Sequence, residues 1–212
     1  MKIELENVLP SDIEKKSFEI IESELPRCID EKLAPIIKRV IHTTADFDYV
    51  DTLYFSNDIL DIAFEALRNG ATIVTDTNMA KSGINKKALE KLGCKVECYM
   101  ADSDVAEMAK ANGTTRATAS VDKASKIEGP VIFACGNAPT ALVRICELME
   151  EGKLSPAFIV GVPVGFVNVV QAKEMIIESG VPCIVARGRK GGSNVAAAII
   201  NALMYMITQR DI

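Results

Sequence analysis

The sequence predicts an α/β fold, in which a mainly parallel sheet is flanked by helices in a Rossmann-like three-layer arrangement, with a helical N-terminal segment in front. Short apolar runs rich in β-branched residues alternate with amphipathic stretches over most of the chain. Three of these runs end in glycine-bearing turns that lead directly into helical patterns. The 212 residues are 49% hydrophobic and 25% charged, as in an ordinary globular protein. We therefore expect one domain over residues 1–212.

Two amphipathic helices are predicted before the first strand. The stretch "SDIEKKSFEIIESEL" begins at a Ser11 or Asp12 cap and ends before Pro26. The stretch "DEKLAPIIKRVIHTT" carries an apolar stripe that leaves Arg39 and His42 towards its other side. Because they are three residues apart, Arg39 and His42 are expected to be neighbours on that helix.

The remaining elements alternate between strand and helix. The predicted strands are "ATIVTD", "CKVECYM", "PVIFACG", "AFIVGVPVG" and "PCIVARG". The predicted helices are "NDILDIAFEALRNG", "NKKALEKLG", "DVAEMAKANG", the stretch after Arg116, "PTALVRICELMEEG", "NVVQAKEMIIESG" and "NVAAAIINALMYMI". This alternation favours parallel strands joined by helical crossovers.

Composition excludes several classes of function. A net charge of −5 argues against binding to nucleic acid through a broad basic surface. A local basic pocket that receives an anion is still compatible with this net charge. The six cysteines are scattered and the chain has one histidine, so no zinc site is expected, and most of the cysteines are expected to be buried side chains in a reducing cytoplasm. The N-terminus lacks the apolar core of a signal peptide, and no apolar run is long enough for a membrane span. A cytoplasmic protein is expected.

Three strand-end turns are candidate anion sites: "CGNAPTAL", "GVPVGFVN" and "RGRKGGSN". Each leads into a helix whose N-terminus offers unpaired N–H groups. In the first turn, Asn137 is the predicted N-cap, Pro139 fits the first helical position and Thr140 adds a hydroxyl. The alternative is that the glycines only form tight turns. No turn matches GxxxxGK[ST] or GxGxxG, so a nucleotide phosphate loop is not supported.

Two further polar stretches border the same predicted crevice. In "TDTNMAKSGI", Asp76 and Thr77 follow a strand and are either ligand contacts or a structural helix cap. In "NGTTRATAS", Arg116 is either a solvated helix start or a clamp for a carboxylate, which its guanidinium fork would suit.

His42 is the candidate group for proton transfer. It lies at a predicted helix C-terminus, where the dipole favours imidazolium, and Asp46 and Asp48 favour the same form while Arg39 opposes it. A side chain that titrates near neutrality is suited to donating a proton and taking it back. The alternative is a surface histidine with no role.

Four motifs in this order, "RVIHTTADFDY", "GNAPTAL", "GVPVGFVN" and "GRKGGSN", resemble the precorrin-8X methylmutase family, called cobalt-precorrin-8 methylmutase in the anaerobic pathway. The resemblance runs from "KKSFEII" to the C-terminal helix. It implies an isomerase that moves a methyl group at ring C of a modified tetrapyrrole, converting precorrin-8 to hydrogenobyrinate or its cobalt form to cobyrinate. It further implies that His42 is catalytic and that Ser17 and Arg39 contact the substrate. We extend the substrate site to Thr77, Arg116, Asn137, Thr140 and Gly192.

The resemblance also implies the molecules that the protein needs. The migrating methyl group already belongs to the substrate, so no cofactor is expected, and cobalt would arrive inside the substrate rather than at a protein metal site. A homodimer with the active site near the subunit interface is implied. Two other interpretations remain open: a nucleotide- or acyl-anion-binding α/β enzyme, and a tetrapyrrole carrier without catalytic activity.

Overall fold

The structure, a computed structural model, describes residues 7–208 and is built on one six-stranded sheet. The strand order is β1-β6-β5-β4-β2-β3, and every pairing is parallel except that between β1 and β6. The strands are β1 (Leu53–Phe55), β2 (Thr72–Thr75), β3 (Lys95–Glu97), β4 (Val131–Cys135), β5 (Phe158–Gly161) and β6 (Cys183–Ala186).

Eleven helices lie within residues 7–208. They are α1 (Ile13–Glu24), α2 (Ala34–Thr44), α3 (Tyr49–Thr52), α4 (Ile59–Arg68), α5 (Asn78–Gly83), α6 (Lys86–Leu92), α7 (Ser103–Asn112), α8 (Arg116–Ala124), α9 (Pro139–Glu150), α10 (Val169–Glu178) and α11 (Ser193–Thr208).

The helices form a layer on each face of the sheet, so the predicted α/β arrangement is confirmed. Helix α11 packs against α2, α4, α5 and α6 over one face, and α7, α8, α9 and α10 pack in sequence over the other. Helix α1 packs on α2, and the two together form the predicted helical N-terminal segment. Every residue of β4, β5 and β6 is buried, as expected for parallel strands covered on both sides.

Helix α11 is the most apolar helix of the fold and lies in its core. Ten of its sixteen residues are buried. None of the helices within residues 7–208 combines the length and the apolar character needed to cross a bilayer.

Sequence patterns missed or misplaced some short elements. The antiparallel edge strand β1 has three residues, too few for a period-two pattern. Helix α2 begins at Ala34 rather than at Asp30, because residues 31–33 form a turn in which the Asp30 carboxylate accepts the N–H of Lys32 (2.7 Å) and Pro35 occupies the first helical turn. Asp12 stands at the N-cap position of α1, but its side chain makes no capping hydrogen bond.

Candidate active site

The three glycine-bearing turns meet at the carboxyl ends of β4, β5 and β6. Val162 N–H donates to the Cys135 carbonyl (2.9 Å) and Gly192 N–H donates to the Val162 carbonyl (2.9 Å). A Cβ on Gly136 would lie 2.7 Å from the Gly192 carbonyl oxygen, and one on Gly191 would overlap the Val162 oxygen. Only glycine permits this approach of backbone to backbone. We call Gly136 together with residues 162–165 and 188–192 the glycine floor.

A buried carboxylate fixes the first turn of the floor. Asp76, at the end of β2, accepts hydrogen bonds from the N–H groups of Gly136 (2.8 Å), Asn137 (2.7 Å) and Ala138 (2.6 Å). Burial raises the pKa of Asp76, and the three N–H donors oppose that rise. The N-terminus of α9 therefore already has an anionic partner from the same chain.

The prediction that Asn137 is the N-cap of α9 is wrong. The N-cap position is Ala138, and the capping acceptor is Asp76, about sixty residues earlier in the chain. A contact between residues so far apart in sequence leaves no local pattern. Pro139 does begin the helix, as predicted, and the side chain of Asn137 is exposed at the rim of the floor.

A buried lysine fixes the third turn of the floor. Lys173, on α10, is fully buried, and its Nζ donates to the carbonyl oxygens of Gly188 (2.9 Å) and Lys190 (2.8 Å). Burial lowers the pKa of Lys173 to about 8, although the nearby carboxylate of Glu174 raises it. The periodicity of α10 gave no sign of this role, because a lysine in a helix is usually solvated.

The lowered pKa of Lys173 predicts a specific pH dependence of stability. Between pH 8 and 10.5 the unfolded chain keeps a proton that the folded protein has released, so the free energy of unfolding contributed by this group rises with pH. Across the full window the rise is on the order of 3 kcal/mol. Urea unfolding at pH 7.5, 9 and 10.5 should show the wild type gaining stability relative to Lys173→Met. Parallel curves for the two proteins would contradict the expectation.

Lys190 joins the floor to the segment that follows His42. Its Nζ lies 2.6 Å from carboxylate oxygens of both Asp46 and Asp48. The hydrogen bond from Lys190 lowers the pKa of Asp46, and the two carboxylates raise the pKa of Lys190. Both aspartates thus pair with a lysine 142 or more residues away in the chain.

An open cavity of about 370 Å³ lies at this junction. It is lined by Thr43, Thr44, Asp46, Tyr49, Val164, Lys190, Gly191 and Asn194. His42 directly precedes Thr43, the first of these lining residues on α2.

His42 is exposed in the last turn of α2, and its ring stacks on that of Phe18 with a centroid distance of 5.2 Å and an interplanar angle of 21°. The Arg39 guanidinium also lies over Phe18, at 4.7 Å, and over the Tyr205 ring, at 5.4 Å. It donates to the carboxylate of Glu14. Phe18 therefore contacts both of the predicted site residues on α2.

Ser17 directly precedes Phe18 on α1 and is partly exposed. Its hydroxyl donates to the Ile13 carbonyl within the same helix (2.8 Å). Ser17 is a predicted site residue through the family resemblance alone, whereas no sequence pattern predicts that Phe18 and Glu14 contact Arg39. The positions of Phe18 and Glu14 along α1 do not reveal that both side chains contact Arg39 on the neighbouring helix α2.

Thr77, Arg116 and Thr140 lie at the N-termini of α5, α8 and α9. Thr77 caps α5 by accepting the N–H of Ala80 (3.0 Å) and contacts the Ser193 hydroxyl at the start of α11 (2.7 Å). Thr115 caps α8 and contacts the Thr140 hydroxyl (3.0 Å). Arg116 begins α8, is exposed, and has no ion-pair partner among residues 7–208.

The precorrin-8X methylmutase family model matches residues 12–206 of this chain. The chain belongs to that family. A cobalt-precorrin-8 methylmutase of Salmonella typhimurium is 46% identical, over 94% of this chain and 97% of that protein. The cobalt-precorrin-8 methylmutase of Priestia megaterium is 44% identical over 94% and 89%. A crystal structure described as precorrin-8x methyl mutase from Thermus thermophilus superimposes with a TM-score of 0.86 at 37% identity, over 94% of this chain and 97% of that one.

The family makes this methylmutase an isomerase, which transfers a methyl group within one substrate molecule. The resemblance found in the four motifs is therefore confirmed at the level of family and reaction class.

The methylmutase fold sorts the predicted site residues into two groups. Ser17, Arg39 and His42 lie along α1 and α2 and share Phe18 as a neighbour. The second group lies on or around the glycine floor and comprises Thr77, Arg116, Asn137, Thr140 and Gly192. The ion pairs of Lys190 with Asp46 and Asp48 join the floor to the end of α2.

Proposed function

We propose that this methylmutase moves a methyl group at ring C of precorrin-8, or of its cobalt complex, to give hydrogenobyrinate or cobyrinate. The observation that carries the proposal is the family match over residues 12–206, with relatives named for both forms of the substrate. The exposed His42, which directly precedes the cavity-lining residue Thr43, is a suitable proton-transfer group for that reaction.

In the proposed mechanism, His42 donates a proton to the ring C region of the macrocycle. Protonation draws electron density towards that region and favours migration of the methyl group to the adjacent carbon. The imidazole then takes a proton back, so the enzyme is regenerated and substrate and product are isomers. The exposed imidazole edge can reach a ligand while its face stays packed on Phe18.

Carboxylate recognition is assigned to the arginines and the floor. The substrate carries acetate and propionate side chains, which suit a guanidinium fork. Arg116 is the more available arginine, because it has no ion-pair partner within residues 7–208, whereas Arg39 already contacts Glu14. A substrate carboxylate at Arg39 would compete with that glutamate. Gly192 and Thr140 would contact the macrocycle from the floor and its rim.

The cobalt form of the substrate is the better supported of the two. Relatives named cobalt-precorrin-8 methylmutase are 44% and 46% identical to this chain, while the Pseudomonas aeruginosa precorrin-8X methylmutase is 37% identical. Cobalt would enter as part of the substrate.

We propose that the enzyme works as a homodimer whose partner covers the open side of the site. The cavity of about 370 Å³ lies at the low end of ligand pockets, which span roughly 300–1,000 Å³, so a tetrapyrrole needs further surface. Beside it, Phe166 and Val167 are 81% and 77% exposed, which is apolar surface suited to an interface.

A cytoplasmic location belongs to the same proposal, because all six cysteines are free of disulfides.

Incubation of the purified enzyme with precorrin-8 and, separately, with cobalt-precorrin-8 tests the proposal. The conjugation of the ring changes with methyl migration, so we expect an absorbance change and a product of unchanged mass, with faster turnover of the cobalt form. Tight binding of both compounds with no conversion would instead favour the carrier, and binding of nucleotides alone would favour the anion-binding enzyme.

A further inference from the structure

We propose that Lys173 is a positioning residue of the methylmutase site, which acts on the substrate through the loop of residues 188–192. The inference rests on the proposed function and deepens it. Lys173 does not line the open cavity at the site, since it is fully buried on α10 beneath the loop.

The hydrogen bonds of the Lys173 ammonium within residues 7–208 are to backbone oxygens of the loop. Its Nζ donates to the carbonyls of Gly188 and Lys190, two residues apart, at 2.9 and 2.8 Å. No carboxylate forms an ion pair with it within residues 7–208, although Glu174 lies close enough to influence its charge. A buried ammonium with two carbonyl partners and no counter-ion costs free energy of desolvation, which an apolar side chain at the same place would avoid.

The loop that Lys173 fixes leads to both halves of the site. The side chain of Lys190 extends to Asp46 and Asp48, which follow His42. The N–H of Gly192 donates to the Val162 carbonyl and so sets the loop on the turn after β5. One ammonium beneath the loop therefore determines where the lysine and the glycine stand relative to the histidine.

The loop geometry explains why a side-chain donor is required there. Gly188 has a φ of +76° and Gly192 a φ of +141°, both in regions that side chains avoid. In this conformation the carbonyls of Gly188 and Lys190 turn inward to the same point beneath the loop. Without Lys173 they would face apolar surroundings unpaired, and the loop would be expected to turn them towards water.

The test compares Lys173→Met, which keeps side-chain length and removes the ammonium, with Lys110→Met on an exposed lysine of α7. We expect Lys173→Met to raise KM about tenfold or more and to lower kcat/KM by ~10- to 100-fold, as displacement of substrate contacts by about 1 Å does. A role in overall stability alone would reduce the amount of active enzyme and leave KM unchanged. Lys110→Met should retain the wild-type values.

Amide hydrogen exchange supplies a readout that does not depend on turnover. In Lys173→Met the amides of Gly165 and Gly192, which bond to Arg189 and Val162, should exchange about tenfold faster or more through local opening. The amide of Ile159, bonded to the Pro182 carbonyl in the core, should change much less. If the methionine variant does not fold, KM and amide exchange are measured instead on Lys173→Gln, because the shorter glutamine side chain cannot reach both carbonyls.

An unchanged KM in a folded variant would overturn the proposal. So would an increase in the exchange rate of the Gly165 and Gly192 amides, from wild type to variant, no larger than the increase for Ile159. Failure of the wild type to convert either form of precorrin-8 would instead refute the proposed function. In that case the exchange measurement alone decides whether Lys173 fixes the loop.

Discussion

Replacement of His42 by phenylalanine is expected to lower kcat by roughly 10²- to 10⁴-fold, because the proposed proton donor is lost. The phenylalanine ring keeps the stacking contact on Phe18 that the imidazole makes at 5.2 Å. Binding of the macrocycle product should persist, since the contacts of the glycine floor are untouched. Absorbance assays of conversion and titration of product binding measure the two effects separately.

The alanine variant of the same residue is the matched comparison. His42→Ala should lose turnover to the same extent and in addition lose the ring contact, which is worth about 0.5–1.5 kcal/mol of stability. If His42→Phe retained wild-type turnover while His42→Ala did not, the histidine would be a packing residue and the assignment of the proton donor would be wrong.

Asp76→Asn is expected to lower the free energy of unfolding by at least about 3 kcal/mol. The carboxylate accepts three N–H groups at 2.6–2.8 Å, and an amide has one oxygen for them while its NH₂ faces the other donors. Relief of the buried charge offsets part of the loss, since burial already raises the pKa of Asp76. Urea unfolding should show a lower midpoint with an unchanged slope.

Asp61→Asn serves as the control for this substitution. Asp61 lies exposed in the first turn of α4, where loss of its charge should cost about 0.3–1 kcal/mol. A difference of less than about 1 kcal/mol between the two variants would show that the N-terminus of α9 does not depend on the Asp76 carboxylate.

Local patterns were sufficient to predict the parallel sheet and the meeting of the three glycine-bearing turns at one edge of it. Strands β4, β5 and β6 are continuous buried apolar runs, and each leads through glycines into a helix, so the motifs had to meet at one edge of the sheet. The three-residue strand β1 escaped prediction because it is short and pairs antiparallel at the edge.

Partners of the charged side chains could not be predicted, because they come from distant parts of the chain. The α9 N-terminus was predicted as a site for a ligand anion, and the side chain of Asp76 already accepts hydrogen bonds there. Asp46 and Asp48 were predicted to act on His42, and they pair with Lys190. In each case the charge and its place were evident from the sequence, while the partner depended on the folded topology.

The glycine floor limits how the substrate range of such an enzyme can change. At Gly136 and Gly191 any added side chain would meet backbone atoms, so the shape of this surface cannot be altered by single substitutions without moving whole turns. Side chains that stand at the rim, such as Asn137 and Phe166, are exposed, so their replacement leaves the backbone of the floor in place. Engineering for a different macrocycle should therefore begin at the rim, with the backbone beneath it treated as a fixed template.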